Sequence, residues 1–94
     1  MTDLGTVIAT NMRRERSRRK WRQSDLANRL DWPLSRVTRL EGGLQRVQLT
    51  DVRDLCEAFG MPLIDLLTDA DPSDLKALQL PDQSHQRTTT LVAV

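Results

Sequence analysis

Between Gln23 and Gly43 lie two short amphipathic stretches joined by only three residues, and that arrangement limits what the chain can become. The first stretch, 23–30, puts Leu26, Ala27 and Leu30 on one helical face, with Asp25 near its start, where the positive end of the helix dipole favours an acid. The second starts at Pro33 or Leu34 and ends at Glu41, with Val37 and Leu40 three apart and facing inward. Asp31-Trp32-Pro33 is the break between them. Proline disfavours helix at the residue before it and is well placed in the first turn of the next helix. Gly42-Gly43 ends the second stretch, because glycine readily takes the left-handed conformation past a helix end. Two short helices joined this tightly cross closely, so one of them needs a small residue at the crossing, and Ala27 supplies it.

The flanking segments read as helices that complete a core. Leu4, Val7, Ile8 and Met12 form an apolar stripe, with Asn11 and Glu15 in the same spacing, which predicts a helix over 4–19 capped by Thr2 or Asp3. Its end is basic (Arg13, Arg14, Arg16, Arg18, Arg19, Lys20), as the carbonyl end of the helix dipole prefers. After a loop at 44–49, Thr50 is the expected N-cap of a helix over 51–59, with Asp51 and Asp54 in its first turns and Val52, Leu55, Cys56 and Phe59 on its apolar face. Gly60 ends it. Pro62 opens a fifth helix, 62–67, that buries Leu63, Leu66 and Leu67. From Thr68 the chain turns acidic, and Ser73 is expected to cap a helical turn or two within 73–80. Residues 82–87 have a linker's composition, and 88–94 (TTTLVAV) is β-prone. Three readings of that end stay open: no fixed order, a strand pairing with its copy in a second chain, or docking onto its own domain. The expected organisation is therefore an all-α, five-helix domain over 1–70 and an acidic tail over 71–94 available for dimerisation or for a protein partner.

Charge divides along the chain. Residues 1–50 carry 11 basic and 5 acidic side chains, residues 51–94 carry 3 and 8, and the total is +1. Twelve of the 14 cations are arginine, whose planar fork matches phosphates and guanine edges. A basic half on a near-neutral chain suggests a one-sided surface for a polyanion, although a solvated helical face would look the same. No run of 18 apolar residues or signal-peptide core is present, so no membrane association and a cytoplasmic location are expected. Cys56 is the only cysteine and is read as core, and His85 stands alone in the linker. Ser24, Asp25 and His85 do not make a catalytic set, and no metal-ligand cluster or phosphate loop is seen, so neither an enzyme nor a cofactor is expected.

Two short helices, a brief turn and a terminating glycine describe a helix-turn-helix. The outer face of its second helix carries Leu34, Ser35, Thr38 and Arg39 as candidate DNA contacts, with Arg36 on the flank expected to meet a phosphate or a base, and Arg39 suits a bidentate contact to guanine. Taken together, RRERSRRKWRQSDLANRLDWPLSRVTRLEGG and LTDVRDLCEAFGMPLIDLL resemble the lambda-repressor-like, or Cro/repressor (XRE-type), helix-turn-helix family over residues 8 to 67. The resemblance implies that Gln23 bonds a DNA phosphate at the start of its helix, that Leu34, Ser35 and Arg39 occupy base-reading positions, and that Arg46 meets a phosphate. It also implies that Arg16 and Glu41 form a structural ion pair. The chain departs from the family pattern at several points. Arg22 stands where a capping Ser, Thr or Asn is usual, losing a cap bond of about 0.5–2 kcal/mol but placing a cation near the phosphates. Trp21 and Trp32 replace aliphatic residues and are expected to fill the core. Asp31 replaces the turn glycine, a position asparagine and aspartate tolerate better than most. Leu34 cannot hydrogen-bond a base and is left with a thymine methyl or with excluding water. The implied function is a transcriptional regulator, a repressor, that binds double-stranded DNA as a homodimer. Two alternatives are kept: an autorepressing antitoxin whose C-terminal segment binds a partner protein, and an interaction module that no longer binds DNA.

Overall fold

The computed structural model describes residues 3–80 of the chain. Among these residues there is no strand, and the all-α expectation holds: α1 (Leu4–Arg18), α2 (Gln23–Leu30), α3 (Leu34–Glu41), α4 (Leu49–Phe59) and α5 (Leu63–Leu66) are joined by a sixth helix, α6 (Pro72–Ala77). The Thr2 cap, the 82–87 linker with His85, and the strand or partner segment at 88–94 lie outside the described residues.

The inward stripes meet in one core. Met12 of α1, Leu26 of α2, Val37 and Leu40 of α3, Leu55 of α4 and Leu66 of α5 have no exposed surface. Ala27 of α2 is buried, as is Trp32 in the turn between α2 and α3. Cys56 packs against this core, and burial pushes its thiol up. α6 joins the same core through buried Leu75, with Leu80 packed beside it. Asn11 is buried among the apolar residues of α1 because its side-chain amide donates to the carbonyls of Leu66 and Thr68, both at 2.8 Å. That clamp fixes α5 against α1.

Several helix ends differ from expectation. Asp3 caps α1 by accepting from the Thr6 N–H at 2.8 Å, but α1 stops at Arg18 and Lys20 turns left-handed (φ 59°) to close it. Thr50 does not cap α4. The helix begins at Leu49 with Gln48 as N-cap, and the Gln48 N–H donates back to Asp51 Oδ2 at 2.9 Å. Burial decides the register: Asp51 is 1% exposed, and only at the third helical position does its carboxylate reach the cap. Pro62 is the N-cap of α5 rather than its first residue. Ser73 does not cap α6 either. Asp71 does, accepting from both the backbone N–H (2.9 Å) and the hydroxyl (2.8 Å) of Ser73, which hold its carboxyl below the usual range.

Candidate nucleic-acid interface

The turn between α2 and α3 is built from Asp31 in the left-handed region (φ 58°, ψ 41°). Its N–H bonds the Asn28 carbonyl at 3.3 Å and the Trp32 N–H bonds the Ala27 carbonyl at 2.9 Å, a paired closure of the helix end. The chain then leaves through Pro33, the N-cap of α3, and the next eight residues form the helix. With Val37 and Leu40 turned into the core, the opposite face of α3 is set. Leu34 is 50% exposed, and Ser35, Thr38 and Arg39 are exposed beside it. Among the described residues no hydrogen bond or ion pair engages the side chains of Ser35 or Arg39. Gly43 (φ 72°) closes α3, with the Leu44 N–H on the Arg39 carbonyl at 2.9 Å, and delivers exposed Arg46 in the loop beyond, also without a partner among the described residues.

A hydrogen-bonded brace holds this face in place. Arg16 of α1 grips Glu41 at the end of α3 with both prongs of its fork, Nε to Oε2 at 2.7 Å and a terminal nitrogen to Oε1 at 3.0 Å, and donates a third bond to the Trp21 carbonyl at 2.9 Å. The ion pair implied by the family resemblance is therefore present, with the Glu41 side chain 3% exposed. Glu41 Oε1 also accepts from Gln23 Nε2 at 3.2 Å, and Gln23 Oε1 accepts from the Thr38 hydroxyl at 2.9 Å. Two consequences follow for chemistry at the surface. Gln23 keeps one amide N–H to donate, aimed from the first turn of α2. Thr38 has committed its proton and presents acceptor lone pairs and a methyl group outward.

The remaining cations divide into outward and engaged sets. Arg22, at the N-cap of α2, has an 85% exposed side chain with Asp25 at 3.6 Å. Its side chain offers no acceptor for capping. Only the reverse half of the box forms, Arg22 N–H to Asp25 Oδ2 at 2.7 Å, and that bond holds Asp25 below its ordinary range. Arg36, expected from the sequence to contact DNA, is instead turned toward the protein. It donates to Asp51 Oδ1 and lies over the Trp32 ring at 4.0 Å. Trp32 is 9% exposed, so it fills the core as expected. Trp21 is only partly buried, stacked on Phe59 at 5.9 Å with the Arg29 guanidinium 4.0 Å from its ring centre. The basic end of α1 is mostly spent within the chain: Arg18 and Arg19 bond Glu15, Arg19 also donates to the Phe59 carbonyl at 2.8 Å, and Arg14 stands 3.6 Å from Asp69.

Sequence reasoning missed Asp51 as the residue that holds Arg36. The available signal was the Gln48-to-Asp51 spacing, an N-cap and third-position pair that competes with Thr50 as a helix start. It also missed Asn11 as a clamp, since its acceptors are backbone carbonyls that no side-chain pattern reveals.

Comparison with known proteins agrees with this geometry. The chain is similar to a crystal structure of a hypothetical transcription factor, NHTF, from Neisseria, with 28% identity, a TM-score of 0.66, and coverage of 81% of this chain and 85% of that one. No curated protein sequence matches it. The profile of the helix-turn-helix domain family matches residues 8–68, from the first turns of α1 to the end of α5. The braced pair α2 and α3 sits at the centre of that span, and the chain belongs to the helix-turn-helix domain family.

Proposed function

We propose that this protein is a sequence-specific, double-stranded-DNA-binding regulator of transcription that lays α3 in the major groove and acts as a repressor. The observation that carries this reading is the outer face of α3. Leu34, Ser35 and Arg39 point away from the core together, while Arg16, Glu41, Gln23 and Thr38 lock the helix behind them. Arg39 supplies a bidentate fork for guanine, and Ser35 and Thr38 supply short polar contacts to base edges or sugar-phosphate. Gln23 donates its remaining N–H to a phosphate at the positive end of α2, and Arg22 and Arg46 flank it as phosphate contacts. These residues set register, and α3 reads sequence. The membership in a helix-turn-helix family and the likeness to a protein described as a transcription factor support the same reading.

One helix reads few base pairs, so the protein acts as a homodimer on inverted half-sites about 34 Å apart. Occupying such a site is sufficient for repression, whereas activation would need a further surface. Selecting bound duplexes from a random pool, then titrating the selected duplex at several salt concentrations, tests all of this. The expected results are a site with two-fold symmetry and a log–log salt slope of several units, about −0.9 for each phosphate neutralised. A flat salt response, or Arg39→Ala binding the selected site as well as the parent does, sinks the proposal.

A further inference from the structure

The two arginines of α3 have opposite fates. Arg39 is exposed and has no partner among the described residues, while Arg36, three residues earlier, is held by two neighbours, Asp51 and Trp32. Its guanidinium donates to Asp51 Oδ1, and Asp51 has a side chain 1% exposed. Its flat face lies 4.0 Å from the centre of the Trp32 ring. The other oxygen of Asp51 accepts the Gln48 N–H at 2.9 Å, so the carboxylate is bound on both sides and anchored to the start of α4. The Arg36 side chain is still 30% exposed, on the flank of the face assigned above to DNA.

We infer that Asp51 is an internal counter-anion that withholds the charge of Arg36 from DNA phosphate, and so sets how strongly the protein holds DNA of any sequence. The inference rests on the proposed DNA-binding function. Pulling Arg36 away to meet a phosphate would strip a buried carboxylate of its only cation among the described residues and uncover the face of Trp32, and both changes oppose the move. The pair as it stands carries no net charge, so it displaces no condensed counterions when the protein docks. Sequence-independent affinity scales with the number of phosphates neutralised, whereas discrimination between sites comes from base contacts. An arginine held back on the flank of the reading helix therefore lowers binding to unrelated DNA without weakening the contacts of Arg39 and Ser35. The Asp51 carboxylate is thus a positioning and specificity-setting group that never touches DNA.

The test uses Asp51→Asn, which keeps an oxygen for the Gln48 N–H but removes the charge, and the double variant Asp51→Asn with Arg36→Gln. Each is titrated against the selected duplex and an unrelated duplex over a range of salt, with helicity checked by circular dichroism. Asp51→Asn is expected to bind the unrelated duplex several-fold more tightly at low salt and to steepen the salt slope by about one. The double variant is expected to return to the parent slope. A folded Asp51→Asn protein with an unchanged slope overturns the inference, as does a double variant whose slope is shallower than the parent's by about one, since Arg36 would then already be spending its charge on DNA. The second comparison decides the matter even if Asp51→Asn alone fails to fold. A parent protein that binds neither duplex sinks the DNA-binding function itself, which is a separate outcome.

Discussion

Leu34 occupies the first position of α3 with half of its surface exposed and no hydrogen-bonding group, beside residues that have them. In the major groove such a side chain can read only the thymine methyl. Replacing thymine by uracil at the contacted position of the selected site is therefore expected to weaken binding about 3- to 4-fold, the value of one buried methyl at about 0.8 kcal/mol. In Leu34→Ala the thymine–uracil difference should disappear, and a difference that persists would assign the thymine to another residue. Arg39→Ala is expected to cost about 1–3 kcal/mol and to relax the preference for guanine at one position only, read by titrating single-base variants of the site. Away from the surface, Asn11 is a buried polar side chain that ties two elements together, since its amide donates from α1 to the Leu66 and Thr68 carbonyls. Asn11→Leu fits the helix but takes the amide donor away from those carbonyls. A loss of about 1–3 kcal/mol is expected, measured by denaturant unfolding, with helicity retained. The sequence showed Asn11 at the spacing of the apolar stripe. What justified its burial could not be read there, because carbonyl acceptors belong to backbone geometry.

The helices themselves were the most legible level. α2 and α3 could be bounded from the sequence because aspartate, proline and two glycines mark the end of α2 and both ends of α3, and the apolar spacing between them admits one phase. Where several residues could serve as a cap, tertiary packing chose among them, as with Gln48 over Thr50 and Asp71 over Ser73. Helix termination shows the same tension. α1, α2, α3 and α4 all close through a left-handed residue whose successor bonds back to the helix, yet only Gly43 and Gly60 are free of a Cβ in that role. Lys20 takes φ 59° with a long side chain, and Trp21 N–H reaches the Arg16 carbonyl at 3.1 Å only because it does. Lys20→Gly is expected to relieve that strain and stabilise the fold by about 0.5–1 kcal/mol after the added entropy of the unfolded chain is subtracted. For a domain of this size that is a rise of a few degrees in Tm by calorimetry. A fall in Tm would mean that the lysine side chain makes up for its own backbone strain.

Across the whole molecule, the division of charge was visible in the sequence, but which cations are available was not. The basic run at the end of α1 reads as a polyanion surface, yet much of it closes the fold instead, centred on Glu15. That carboxylate is buried, accepts from Arg19 at 2.7 Å and Arg18 at 3.0 Å, and Arg19 continues to the Phe59 carbonyl, so it ties α1 to the end of α4. The Arg19 hydrogen bond, helped by Arg18 and opposed by burial, holds Glu15 below its ordinary value of 4.5. A carboxylate with a lower pKa folded than unfolded binds fewer protons in the native state, so it stabilises the fold fully only above its unfolded value. That contribution drains away as pH falls from about 4.5 toward the folded value, and Asp25 and Asp71, also lowered, act in the same direction. Tm is accordingly expected to change little through these groups between pH 7 and pH 5 and to fall steadily below. Glu15→Gln should melt lower than the parent at pH 7, because its two arginines lose their anion, and the gap between the two proteins should narrow as the parent's Glu15 takes up its proton. Melting curves for both proteins at pH 7, 5, 4 and 3 provide the check. A gap that stays constant over that range would show that the Glu15 ion pairs add nothing to stability and that the link between α1 and α4 does not depend on the Glu15 charge.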